Sequence, residues 1–166
     1  MLIVFDRKAE KLRCFLDESH KDIISKEIDA DCVVRNELNG WRKKHKAPDV
    51  VRAMTHDPYN KPPVMPRTFP PGTWTVYKPR RRTDPYLAPF FIPTDAEQYL
   101  EIWSLENDGY HRATGSKVLD IGYGLHYSTS KTTVGCIRIK KKKDLLWLVN
   151  VVREEMEQGR PVTIET

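Results

Sequence analysis

The chain has 166 residues, 39% hydrophobic and 31% charged, a balance that suits one folded domain able to bury a core without disulfide or metal staples. A net charge of +5 favours acidic partners, such as nucleic acid, anionic lipid or an anionic cell-wall polymer. Three widely spaced cysteines exclude a disulfide framework, and no stretch reaches the ~18 consecutive apolar residues that a membrane span takes.

Leu2–Phe5 and Leu12–Leu16 are short apolar runs separated by a charged turn, and they read as a β-hairpin. Met1 to Phe5 is too short for a signal-peptide core, so the expectation is synthesis in the cytoplasm without an export signal. Cys14, inside the second run, reads as a buried structural thiol. From Asp22 to Lys44, Ile24, Ile28, Val34, Leu38 and Trp41 fall near one helical face, which predicts a helix in which Cys32 packs. Pro48-Asp49 opens a further short element. Pro62 to Gly72 is a proline-rich approach to the alternating strand Thr73–Tyr77. Tyr86 to Pro93 sets aromatics between prolines and would border a groove. Tyr99–Leu105 predicts another strand, followed by a turn at Asn107-Asp108-Gly109, and Gly115-Ser116 predicts a loop.

Val118 to His126 is apolar with interspersed glycines and predicts a strand ending at His126. Thr132 to Ile139 predicts the strand that returns. Leu145, Leu148, Val149, Val152 and Met156 then recur at helical spacing, with Asp144 as the expected N-cap and Gly159 as the stop. Val162–Ile164 closes the chain as a strand.

The segment around Cys136 carries the chemistry. A reactive cysteine must be accessible, must have its thiolate stabilised, and must meet developing oxyanion charge with donors. Gly135 before Cys136 permits unusual backbone angles and close substrate approach. His126 lies ten residues upstream, where a strand–loop–strand return brings it to the cysteine. Arg138 shares the face of Cys136 on a strand, placed to bind a substrate carboxylate or to hold the loops of the site. By spacing alone, the competing reading is a buried thiol beside a surface histidine. Tyr123, Trp74 and Trp103 would line a substrate groove or fill the core. His20, His45, His56 and His111 are expected in surface or structural roles.

The run Tyr123-Gly124-Leu125-His126, then Thr133-Val134-Gly135-Cys136-Ile137-Arg138-Ile139, then Asp144, then Gly159-Arg160-Pro161-Val162-Thr163-Ile164 resembles the L,D-transpeptidase catalytic-domain (YkuD-like) family. That family reads Ile-His-Gly-Thr, a loop, Ser-His-Gly-Cys-Ile-Arg-Met, an aspartate opening a helix, then Gly-Thr-Pro-Val-x-Ile. The resemblance implies a mainly β (α+β) fold, a β-sandwich or barrel with a helix after the nucleophile strand. Residues 1–166 would form a single catalytic domain, with 17–61 a helical insertion centred near 20–45. It implies that Cys136 attacks the peptidoglycan stem peptide while His126 acts as base. Gly135 and Cys136 N–H groups would stabilise the oxyanion, with Thr133 alongside. The Tyr127 carbonyl would orient the histidine, and Arg138, Ser128 and Tyr123 would bind substrate. No metal or organic cofactor is implied.

The chain departs from the family at Tyr127-Ser128, where the family has Gly-Thr, and at Thr133-Val134, where it has Ser-His. Short relatives of this kind occur among phage-associated proteins and secreted effectors. The expected site of action is then the periplasm or cell wall after delivery, with an immunity or carrier protein as a further partner. Nucleic acid is a disfavoured partner. The alternatives are a non-catalytic basic module on the same fold, binding an anionic polymer through Arg80–Arg82 and Lys140–Lys143, and a cysteine enzyme acting on another peptide or amide.

Overall fold

A computed structural model describes residues 1–16, 23–32, 68–83, 89–105, 111–129, 133 and 135–166. The expected turn at 107–109 and the element opening at 48 lie outside them, as do residues 17–22 and 33–61 of the expected insertion. Among the described residues the fold is mainly β with one helix, and the main sheet curls into a half barrel.

The strands are β1 (Leu2–Asp6), β2 (Lys11–Phe15), β3 (Lys26–Asp31), β4 (Thr73–Thr75), β5 (Arg80–Arg81) and β6 (Phe90–Pro93). They continue with β7 (Gln98–Leu105), β8 (His111–Asp120), β9 (Gly124–Tyr127), β10 (Ile137–Ile139) and, after helix α1 (Lys142–Glu157), β11 (Thr163–Glu165). Nine strands form one sheet in the order β4-β11-β1-β2-β3-β10-β9-β6-β5, and β7 and β8 form a separate antiparallel pair. Two contacts in the large sheet are parallel, β1 with β11 and β9 with β10.

Alternation gives this sheet two chemically distinct faces, because successive side chains on a strand point to opposite sides. Ile3, Phe5, Leu12, Cys14, Ile28, Ala30, Leu125, Ile137 and Ile139 occupy one face and are buried in a single cluster. Helix α1 covers it with Leu145, Leu148, Val149 and Val152, at the i, i+3, i+4, i+7 spacing of one helical stripe. The intervening residues Lys11, Arg13, Glu27, Asp29, Asp31 and Arg138 populate the other face. They pair there, as in Lys11 with Asp29 at 2.7 Å and Arg13 with Glu27 at 3.4 Å.

The opening hairpin and the closing strand form as the sequence predicts, as does the helix. The helix ends in a Schellman arrangement. Gly159, at φ 70°, donates to Met156 O at 3.0 Å, and Arg160 N donates to Glu155 O at 2.9 Å.

Four expectations are corrected. Lys26–Asp31 is a strand rather than part of a helix over 22–44. The buried Ile28 and Ala30 alternate with polar neighbours, and pairing to both β2 and β10 outweighs the helical spacing of Ile24 and Ile28. Gly115 and Ser116 lie inside β8, where Gly115 takes φ 76° within an irregular ladder. Val118–His126 is not one strand: β8 ends at Asp120, and Gly122 at φ 92° turns the chain into β9, which belongs to the other sheet. Asp144 is not the helix cap. Lys141 holds that position, and Asp144 sits buried in the first turn, paired with Lys26 at 3.1 Å and near the positive end of the helix dipole.

Of the aromatics before Pro93, Tyr86 lies outside the described residues, Phe90 is half-buried and Phe91 is buried in β6, an interior strand of the sheet between β9 and β5.

Candidate active site

β9 and β10 run side by side in parallel, with Leu125 opposite Ile137, His126 opposite Arg138 and Tyr127 opposite Ile139. This register is set by burial. Leu125, Ile137 and Ile139 are fully enclosed on the helix side, so a slip of one residue would drive Arg138 into the apolar core. His126 and Arg138 therefore share the polar face. Phe91 of β6 lies opposite His126 on its other flank.

β9 can approach β6 only because residue 124 lacks a side chain. A Cβ there would stand 2.4 Å from the Ile92 carbonyl oxygen and 2.5 Å from the Phe91 ring. Gly124 thus lets the strand carrying His126 pack into the sheet.

The His126 ring is buried, and its Nδ1 lies 3.1 Å from the carbonyl oxygen of Tyr127. A carbonyl only accepts, so this contact puts the ring proton on Nδ1 and leaves Nε2 as the basic nitrogen. The orienting carbonyl expected from the sequence is therefore at hydrogen-bond distance from the ring.

No family model, curated protein or solved structure matches the chain.

Cys136 is half-buried and lies in a bend immediately before β10, not inside a strand. Gly135 ahead of it takes φ 96°, a left-handed conformation that an L side chain reaches only at a cost of about 1–2 kcal/mol. The Cys136 sulfur sits 4.0 Å from the carbonyl oxygen of Gly122, in the link between β8 and β9. Both glycine-turned links, 121–123 and 135–136, thus come together at the thiol.

Arg138 holds Asp31 with a two-pronged contact, Nε to Oδ1 at 2.9 Å and Nη2 to Oδ2. Asp31 is 3% exposed, so the pair is desolvated and ties β10 to β3. Of the two roles expected for Arg138, bracing the site matches this geometry, because its Nε and Nη2 edge is taken up by Asp31. Ser128 is half-buried just past the end of β9, and Thr133 is buried with its hydroxyl 3.9 Å from the Cys32 sulfur.

Tyr123 does not line a groove. It is fully buried, packs edge-on against Phe69 with ring centres 5.7 Å apart, donates its hydroxyl to Asp120, and accepts from Gln98 at 2.6 Å. Asp120 is thereby engaged by a tyrosine. Trp74 packs against the core and donates to Pro70 O at 3.1 Å.

Asp31 and Cys32 are participants that the sequence reading missed. The signal was present in the alternation Ile28-x-Ala30, which places Asp29 and Asp31 on the polar face, but the helical spacing masked it. Among the described residues, no group of three or more His, Cys, Asp and Glu is placed to hold a metal ion, and no helix is long and apolar enough to cross a membrane.

Much of the basic run after β10 is paired. Lys140 contacts Glu10 and lies 3.4 Å from Asp31, and Lys141 contacts Asp29 at 2.7 Å. Hydrogen bonds from Lys11 and Lys141 hold the Asp29 carboxyl down at about 2.

Proposed function

We propose that this chain is a cysteine acyltransferase of the L,D-transpeptidase kind, acting on peptidoglycan stem peptides. The reading rests on one observation above others: His126 is held through Nδ1 by the Tyr127 carbonyl, in register with the strand that leads out of Cys136. The motif resemblance around Gly135-Cys136-Ile137-Arg138 supplies the substrate class.

In this mechanism His126 Nε2 takes the thiol proton and the Cys136 sulfur attacks the carbonyl that precedes the terminal D-alanine. The negative charge on the carbonyl oxygen is met by backbone N–H groups of the Gly135-Cys136 bend. The tetrahedral intermediate collapses to a thioester, and the imidazolium returns its proton to the leaving amine. An incoming amine or water then attacks the thioester, giving a cross-link, D-amino-acid exchange or carboxypeptidase cleavage.

Of the basic residues behind the alternative reading of a non-catalytic basic module, Lys140 and Lys141 are paired with Glu10, Asp29 and Asp31, while Arg80–Arg82, Lys142 and Lys143 are exposed.

The decisive experiment incubates the protein with a disaccharide-tetrapeptide and follows D-alanine release or exchange. Cys136→Ala abolishes the reaction, and His126→Ala lowers it by roughly 10²–10⁴-fold, the usual contribution of a positioned base. Undiminished turnover in the Cys136→Ala protein overturns the proposal.

A further inference from the structure

The residue that follows β3, Cys32, has its sulfur beside three polar groups from separate parts of the chain. The Phe69 N–H donates to it at 3.2 Å, and the Thr133 hydroxyl approaches at 3.9 Å. Its own thiol donates to the carbonyl oxygen of Gly135 at 3.5 Å. Cys32 is half-buried, and the Arg138–Asp31 pair anchors the same end of β3 to β10.

The Gly135 carbonyl belongs to the same peptide unit as the Cys136 N–H. A trans peptide is planar, and its C=O and N–H point in opposite directions. Whatever fixes the oxygen therefore aims the hydrogen. Gly135, at φ 96°, carries no Cβ that would hold this peptide in one orientation, so the contact from Cys32 is the restraint the geometry offers.

We propose that Cys32 is a positioning residue whose thiol holds the Gly135 carbonyl and so aims the Cys136 N–H at the oxygen of the reacting carbonyl. The proposal rests on the acyl-transfer reading of Cys136 but not on peptidoglycan as the substrate. Phe69 and Thr133 complete the arrangement by orienting the sulfur, so that its single proton is directed at Gly135.

The test compares two reactions of the Cys136 thiolate in the full chain, with modification read on the Cys136 peptide by mass spectrometry. Acylation by 4-nitrophenyl acetate forms a sulfur–carbonyl bond, passes through an oxyanion and expels 4-nitrophenolate. Alkylation by iodoacetamide forms a sulfur–carbon bond, expels iodide and develops no oxyanion. Cys32→Ala should slow acylation by roughly tenfold, a part of the roughly 10²–10³-fold that outright loss of an oxyanion donor costs. Alkylation should stay within about twofold, because it makes no call on that donor. Cys32→Ser, which keeps an O–H donor, should recover most of the acylation rate.

Equal slowing of both reactions in Cys32→Ala and Cys32→Ser overturns the proposal in favour of a packing role, as does an unchanged acylation rate. A wild-type Cys136 that alkylates but does not acylate overturns the proposal and the acyl-transfer reading together. Normal acylation with the predicted split, but no D-alanine released from muropeptides, leaves the positioning role standing and removes only the peptidoglycan assignment.

Discussion

Cys14 and Cys136 both sit in short apolar runs, and the fold treats them in opposite ways. Cys14 lies inside β2 on the helix-facing side of the sheet and is completely buried. Desolvation there penalises the thiolate and pushes its pKa up to about 12. Cys136 lies outside the regular ladder, in a bend behind a left-handed glycine, just before the strand that carries Arg138. A strand interior hides a thiol, whereas a break at the mouth of a strand presents one. What separates the enclosed thiol from the half-buried one here is the backbone on either side, more than the neighbouring residue types.

The largest expected effect is on relative reactivity. At pH 8 a thiol with a pKa near 12 is ionised on the order of 10³-fold less than an ordinary one, before burial limits access at all. Peptide-resolved labelling with iodoacetamide should therefore modify the half-buried Cys136 much faster than Cys14. Comparable rates at the two sites would dissolve the contrast.

Next comes the brace beneath the bend. Arg138→Met leaves the Asp31 carboxylate buried with Lys140 the one cation near it among the described residues, which should cost about 3 kcal/mol. In a domain of this size that lowers Tm by roughly 10 °C, measurable by calorimetry. A drop of only a degree or two would show that the polar face contributes little to holding β10 against β3.

The smallest effect is the alkaline dependence of stability. The folded chain keeps Cys14 protonated where the unfolded chain ionises it, so the raised folded pKa contributes stability in full below about pH 9. That contribution is lost as pH rises from about 9 toward 12, amounting to roughly 1 kcal/mol by pH 10. Cys14→Ala should flatten this part of the stability profile although it lowers stability overall. An unchanged slope in the variant would assign the alkaline loss to other groups.

Some of the architecture was legible because local chemistry and tertiary environment agree. Leu2–Phe5 and Leu12–Leu16 are short apolar runs flanking a charged turn, and the turn closes through the Ala9 N–H donating to Asp6 at 2.9 Å. Leu145 to Val152 repeats at helical spacing and Gly159 stops the helix. The placing of His126 beside Arg138 was also legible, since a Leu-His pair and an Ile-Arg pair in neighbouring strands fall into register once their apolar members are buried; the contact with the Tyr127 carbonyl was expected only from the family resemblance.

Other features were not legible, because they depend on partners distant in sequence. Ile28 satisfies a helical stripe and a strand alternation equally well, and only the flanking strands β2 and β10 decide for the strand. Tyr123 could have faced a groove or the core. Its hydroxyl settles in the core because Asp120 and Gln98 are there to satisfy it, and a buried phenol without partners would be costly. Asp144 has the composition of a cap, yet it is drawn inside the first turn by Lys26, more than a hundred residues away.

By itself, then, the sequence determined the two-faced strands, the helix and its stop, and the residue types gathered near Cys136, since each follows from spacing along a few consecutive residues. The tertiary structure decided which cysteine is fully buried, which aspartate braces Arg138 and which thiol contacts the Gly135 carbonyl. Those outcomes turn on contacts across a hundred or more residues, where burial and hydrogen-bond satisfaction choose among arrangements that local preference leaves equal.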